Sequence, residues 1–168
     1  MMSDAHTLRP ILTHNVSSSN GPLCREIEDD YGSVLSLYPE AEEILHELSI
    51  HEMWKDTLIC YVSRTTEIES AHFCLSHLHV GARCTMDEIG HHKEIYPGNK
   101  THHFRSIRDE FGIEYCDMLF FDNERRNTKD VSSLGVVSCY TPGGLTRRGF
   151  DIGLEAFQEG GTLHVSDR

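Results

Sequence analysis

The chain has 168 residues, with 15 Lys and Arg against 27 Asp and Glu, a formal net charge of −12 with histidine neutral. One domain of this length can bury a real core, and a second full domain does not fit. The acidic balance repels phosphate backbones and anionic bilayers, which argues against nucleic acid and membrane surfaces as partners.

Six cysteines (Cys24, Cys60, Cys74, Cys84, Cys116 and Cys139) occur without a Cys-x-x-Cys pair, and Cys60 and Cys139 lie in apolar runs, as expected in a reducing compartment. The start, Met1-Met-Ser-Asp-Ala-His6, lacks the basic-then-apolar layout of a signal peptide. No apolar run reaches the roughly 20 residues that a membrane span requires. A soluble cytoplasmic protein is expected, with the nucleus left open.

Residues 1–36 read as an irregular N-terminal segment, because Ser17-Ser-Ser-Asn-Gly-Pro22 is loop chemistry and Glu26-Ile-Glu-Asp-Asp30 a solvated acidic run. Only Ile11 and Leu12 hint at order there. Pro39 then opens an amphipathic helix with acids in its first turn and Ala41, Ile44, Leu45 and Leu48 on one face. Thr57-Leu-Ile-Cys-Tyr-Val62 reads as a buried strand, followed by a helix over about Glu67 to Leu78. Gly81, Gly90 and Pro97-Gly98 break the next stretch, where Glu88 to Ile95 is expected as a short strand. A helix from Thr101 to Phe111 follows, with Phe104, Ile107 and Phe111 on one side and Gly112 as its stop.

Met118-Leu-Phe-Phe121 is a short apolar run without alternation, the pattern of a strand covered on both faces. Asp122 ends it, on the edge where open α/β sheets bind ligands. A helix over about Arg125 to Leu134, a strand over Val136 to Tyr140, a turn at Pro142-Gly-Gly144 and a helix over about Leu145 to Gln158 complete the pattern. Strand and helix alternate, so the expected class is α/β: a three-layer, doubly wound parallel sheet covered by helices on both faces, over residues 37–160 with a tail at 161–168.

Three polar groups fall where these segments leave the sheet or enter a helix: Ser63, Lys100 and Asp122. A hydroxyl, an ammonium and a carboxylate on one rim suit an anionic, metal-bound ligand, the carboxylate holding a hard cation through oxygen. Taken singly, Ser63 and Asp122 also read as helix caps and Lys100 as a solvated lysine. Arg125-Arg126 can bind an anion or pair with Glu124 or Asp130. None of the pairs His77-Leu-His79, His91-His92 and His102-His103 has the His-x-x-x-His spacing that puts two imidazoles on one helical face, so they are read mostly as surface residues.

Four ordered segments, Leu37-Tyr-Pro-Glu40, Val62-Ser-Arg-Thr-Thr-Glu67, Glu94-Ile-Tyr-Pro-Gly-Asn-Lys-Thr-His-His-Phe104 and Met118-Leu-Phe-Phe-Asp-Asn-Glu-Arg-Arg-Asn127, resemble the eukaryotic magnesium-dependent phosphatase family. That family is a small, nearly capless branch of the haloacid dehalogenase superfamily. The resemblance implies a sheet in the order 5-4-1-2-3 and Mg²⁺-dependent phosphomonoester hydrolysis, with a phosphotyrosine protein or a phosphorylated small molecule such as a sugar phosphate as partner. It further implies that Ser63 and Lys100 act on the phosphate, with Arg64 and Arg126 joining them in binding it. Asp122 becomes a Mg²⁺ ligand, and beside it Asn123 stands where the family has a second aspartate.

Upstream the chain departs from this pattern. Such phosphatases begin with a central strand ending in Asp-x-Asp-x-Thr, whose first aspartate attacks phosphorus to form an aspartyl-phosphate and whose second transfers the protons. No Asp-x-Asp occurs in these 168 residues. Thr13-His-Asn-Val-Ser17 lies on the motif only with Thr13 at the nucleophile and Asn15 at the acid/base, and Pro10 is a poor central-strand residue. The expectation is therefore a phosphatase lineage with its first strand missing or replaced and its activity impaired. The competing expectation is a non-catalytic protein that keeps the fold to bind phosphorylated ligands through Ser63, Lys100 and Arg126. A receiver-like signalling domain, which also uses a rim hydroxyl and lysine, fits less well because the acidic residues fall in the wrong places.

Overall fold

A computed structural model of the chain describes residues 7–13, 22–160 and 164–166. Most of the expected loop before Pro22, most of the expected tail and the segment 14–17 lie outside the described residues. Among those described, no helix is long and apolar enough to cross a membrane. The chain forms two compact units, Met1–Cys60 with Thr65–His91, and Tyr61–Arg64 with His92–Arg168.

In the first unit, strands β1 (Arg9–Thr13), β2 (Leu23–Glu28) and β3 (Val34–Ser36) form an antiparallel sheet in that order. This corrects the expectation of an irregular segment. Within the supposedly solvated acidic run, Ile27 is 1% exposed, and with Cys24, brought to the same face by a register shift in the β1–β2 ladder, it points into the core. Pro10 lies opposite Ile27 on the edge strand β1, where its missing N–H costs no ladder bond. Residues 9–13 therefore belong to an antiparallel sheet and not to a central parallel one.

Helix α1 (Pro39–Ile50) follows, with Pro39 in the first turn beside Glu40 and Glu42 and with Ile44 fully buried. After β4 (Cys60–Ser63), α2 (Ile68–His77) leads into a two-stranded ladder of β5 (His79–Val80) and β6 (Cys84–Thr85). The core of the first unit is Cys24, Ile27 and Leu78, against which Leu8, Leu37, Phe73, Cys74 and Met86 pack. A short helix α3 (Met86–Ile89) occupies the start of the expected strand at Glu88. The Thr85 hydroxyl and Glu88 carboxylate form a capping box there, so the local hydrogen bonds favour a helical turn and extended chain resumes only at β7 (His92–Ile95).

In the second unit β4 is hydrogen-bonded to β7. Helix α4 (Lys100–Phe111) starts from Asn99, whose side chain accepts the Thr101 N–H at 2.9 Å, and stops at Gly112, whose φ of 65° suits glycine. Then come β8 (Leu119–Asp122), α5 (Arg125–Ser132), β9 (Val137–Tyr140), α6 (Arg147–Glu159) and β10 (His164–Ser166). β9 lies between β8 and β10, and both ladders are parallel.

The doubly covered reading of β8 holds. Phe120 meets Phe104 of α4 edge-on at 4.9 Å between ring centroids, while Phe121 faces Phe150 of α6 at 5.7 Å. Alternation along a strand sends these neighbours to opposite faces. Gly153 lets α6 approach, since a Cβ there would lie 2.7 Å from Phe121 Cε1. The expectation for residues 57–62 fails in part: Thr57 and Leu58 are exposed, and every residue of β4 is only half-buried. Among the described residues β4 has β7 as its one ladder neighbour, which leaves its other edge uncovered by a strand.

His103 also corrects the surface reading of the histidines. It is fully buried, stacks on Tyr96 at 4.0 Å, and its two ring nitrogens lie 3.2 and 2.9 Å from the Asn99 and Tyr96 carbonyl oxygens. Nearby, Glu94 of β7 is 6% exposed and lies 2.8 Å from both His92 Nε2 and Ser106 Oγ. Burial alone pushes the Glu94 carboxyl up, but hydrogen bonds from Tyr96, His92 and Ser106 outweigh it and leave the group below its ordinary value of 4.5. Burial and the Glu94 carboxylate push the Tyr96 phenol from 10.0 to about 12. Stability from Glu94 is thus present above its ordinary value and lost as pH falls through its folded pKa, whereas that from Tyr96 is full below pH 10.0 and lost as pH rises toward about 12. Glu94→Gln is expected to flatten both the fall of the urea midpoint on acidification and its fall between pH 10.0 and about 12. Unchanged acid and alkaline limbs would contradict this account.

Candidate functional site

The site is built at the carboxyl ends of β4 and β8, from residues of the second unit. β8 ends at Asp122 and α5 begins at Arg125, so the intervening turn must satisfy the carboxylate locally. Asp122 Oδ1 accepts the Glu124 N–H at 2.6 Å, the bond of an Asx-turn. Asn127, in the first turns of α5, places its Nδ2 at 3.2 Å from both carboxylate oxygens. Lys100 Nζ donates to Oδ2 at 2.5 Å. With four donor contacts the carboxylate's acceptor sites are filled, which is why an 8%-exposed aspartate is tolerated.

Lys100 is itself buried, at the first position of α4. Its ammonium also donates to the Val62 carbonyl at 2.8 Å and lies 5.2 Å from the Phe120 ring centroid. One cation therefore ties the end of β4 to the end of β8. Side-chain exposures of 9% for Lys100 and 5% for Asp122 put the pair out of reach of solvent screening. On the opposite side, Arg64 Nη1 donates to Asn127 Oδ1 at 2.9 Å and lies 3.7 Å from the exposed Glu124 carboxylate. The result is a continuous line of polar contacts from Arg64 through Asn127 and Asp122 to Lys100 and the β4 backbone.

The residues singled out from the sequence are distributed as follows. Lys100 and Asp122 are in direct contact. Ser63 directly follows Val62 and is half-buried, its carbonyl accepting the Tyr96 N–H at 3.1 Å. Arg64 joins through Asn127. Asn123 is exposed in the turn between β8 and α5. Arg126 is not drawn into this network: its side chain is 73% exposed and its Nε is 3.8 Å from Asp130, four residues on along α5. Asn127 was overlooked in the sequence, although a polar residue closing the run Asp122-Asn-Glu-Arg-Arg-Asn127 one and a half turns beyond the strand was the available signal.

Among the described residues no group of three His, Cys, Asp or Glu side chains could hold a metal ion. The donor set offers one buried carboxylate, so water and any bound phosphate would supply most of the coordination of a hard cation of the Mg²⁺ type. Toward an oxyanion the same residues offer the Lys100 and Arg64 cations and the Ser63 hydroxyl.

Truncating one member of a buried ion pair leaves the other charge unpaired. Lys100→Ala is expected to destabilise the protein by about 3 kcal/mol, whereas Lys100→Met combined with Asp122→Leu should cost much less. Urea denaturation of both variants checks this, and equal losses would sink the claim that the pair is held together by mutual need.

A match to the Acid Phosphatase family covers residues 1–160. Magnesium-dependent phosphatase 1 of Homo sapiens is 36% identical over 138 residues, 81% of this chain and 72% of that protein. A HAD-like hydrolase superfamily protein of Schizosaccharomyces pombe is 34% identical over 111 residues, 64% of this chain and 62% of that protein. With the family match covering residues 1–160 and a relative 36% identical over most of both chains, the chain belongs to the Acid Phosphatase family, within the magnesium-dependent, haloacid dehalogenase-like phosphatase lineage.

Proposed function

We propose that the chain is a Mg²⁺-dependent phosphatase by lineage that binds phosphomonoesters at the ends of β4 and β8, with its hydrolytic activity impaired because no Asp-x-Asp occurs in these 168 residues. The observation that carries this reading is the buried Lys100–Asp122 contact beside the β4 terminus, with Arg64 attached through Asn127. In this reading β9 and β8 are strands 5 and 4 of the order 5-4-1-2-3, and β4 and β7 are strands 2 and 3. It is supported by the ladder partners of β8 and β4, which lie on one side only among the described residues.

The roles follow from the groups present. Ser63 donates its hydroxyl to a phosphoryl oxygen, while Lys100 and Arg64 offset the phosphate charge. Arg126, exposed at the start of α5, meets the substrate from outside. Asp122 would hold Mg²⁺ in exchange for one of its protein donors, helped by Asn123, whose neutral amide in place of a carboxylate weakens that hold. When bound, Mg²⁺ supplies further charge neutralisation and polarises the phosphoryl oxygens. An aspartyl-phosphate needs a carboxylate nucleophile followed two residues later by a carboxyl acid/base, and no Asp-x-Asp in the sequence provides them. Substrates of the expected classes, a phosphotyrosine protein or a sugar phosphate, are therefore bound more readily than they are turned over.

The saturation of the Asp122 carboxylate by protein donors favours a second reading, a non-catalytic phosphate-binding protein in which Lys100 replaces the metal as counter-charge. Phosphate release from an aryl phosphate, with and without Mg²⁺, tests the proposal, with Lys100→Ala and Asp122→Ala as controls. The expected outcome is little turnover and binding of inorganic phosphate weakened about tenfold or more by Lys100→Ala, the loss of a charge-assisted bond. Substantial Mg²⁺-dependent turnover abolished by both substitutions would overturn the impairment.

A further inference from the structure

We propose that Asn127 is a positioning residue that couples the anion-binding Arg64 to the cation-binding Asp122, a role that rests on the phosphate-site reading above. Asn127 is 3% exposed, and both ends of its amide are used. The carbonyl oxygen accepts from Arg64 at 2.9 Å, and the NH₂ group faces both Asp122 oxygens at 3.2 Å. Turning the amide over would set its NH₂ against guanidinium donors and its oxygen against a carboxylate. The charged neighbours therefore fix its orientation.

No other side chain of this size makes both contacts. An aspartate accepts from Arg64 but repels Asp122, and a leucine fills the volume while removing one hydrogen-bond partner from each of the two charged groups. Arg64 and Asp122 come from different strand ends, Asn127 lying 63 positions beyond Arg64 and five beyond Asp122 in the sequence. A single neutral amide thus sets the guanidinium and the carboxylate at a fixed mutual position, so a shift of either toward a ligand is felt by the other. Preorganisation of this kind lowers the ordering cost of binding.

The test is calorimetric titration of the full chain with Mg²⁺ alone and with inorganic phosphate alone, for wild type, Asn127→Asp and Asn127→Leu. In Asn127→Asp a second carboxylate stands beside Asp122 while Arg64 becomes ion-paired. Mg²⁺ binding is expected to tighten about tenfold and phosphate binding to weaken severalfold. Asn127→Leu should weaken both. The charge added in Asn127→Asp moves the two affinities in opposite directions by itself, so the positioning role is read from the uncharged Asn127→Leu: weakening of both affinities upholds the proposal, and unchanged affinities, or parallel shifts in Asn127→Asp, overturn it. If wild type binds neither ion, the phosphate-site reading itself falls. The link is then judged by NMR of the Arg64 guanidinium: slowed rotation in wild type that is lost in Asn127→Leu upholds it, and equal rotation in both refutes it.

Discussion

The site depends on one buried ion pair. Lys100 and Asp122 each carry a charge that the interior alone would not tolerate, and their contact at 2.5 Å makes both tolerable. Its geometry is set from three directions. Asn99 caps α4 and so fixes where Lys100 begins, the Asx-turn at Glu124 holds the carboxylate, and the Val62 carbonyl takes a second ammonium proton. Such a pair adds little net stability compared with a well-packed apolar substitute, so its value lies in the charges it stores at the strand ends.

Those charges define what the site can recognise. The chain as a whole is acidic, yet here two cations, Lys100 and Arg64, converge on the surroundings of one buried carboxylate. The local balance of charge at these strand ends thus differs in sign from that of the molecule as a whole.

Much of the second unit was legible in the sequence because its signals are local. The unbroken apolar run at Met118–Phe121 required cover on two faces, and Phe104 and Phe150 supply it. Gly112 marked the end of α4 through its positive φ. Lys100 and Asp122 were found because each sits at an element boundary. The first unit was harder to read: β2 carries its inward residues among charges, and the acidic run around Ile27 masks a buried position whose partners lie far along the chain. The capping box at Thr85 and Glu88 and the buried His103 were missed for related reasons, since polar residues satisfied by backbone groups look like solvated ones until those groups are placed. Asn127 escaped because an amide announces no charge.

The contacts that make the site are also long in sequence. Lys100 reaches back 38 residues to Val62 and forward 22 to Asp122, and Arg64 spans 63 residues to Asn127. Closing such separations costs chain entropy before any contact repays it, so pairings of this range tend to form late in folding, after local helices and hairpins. Until then the ammonium and the carboxylate stay hydrated and apart, and the strand ends carry no preformed anion site. The juxtaposition of Lys100, Asp122 and Arg64 is in that sense a signature of the finished chain.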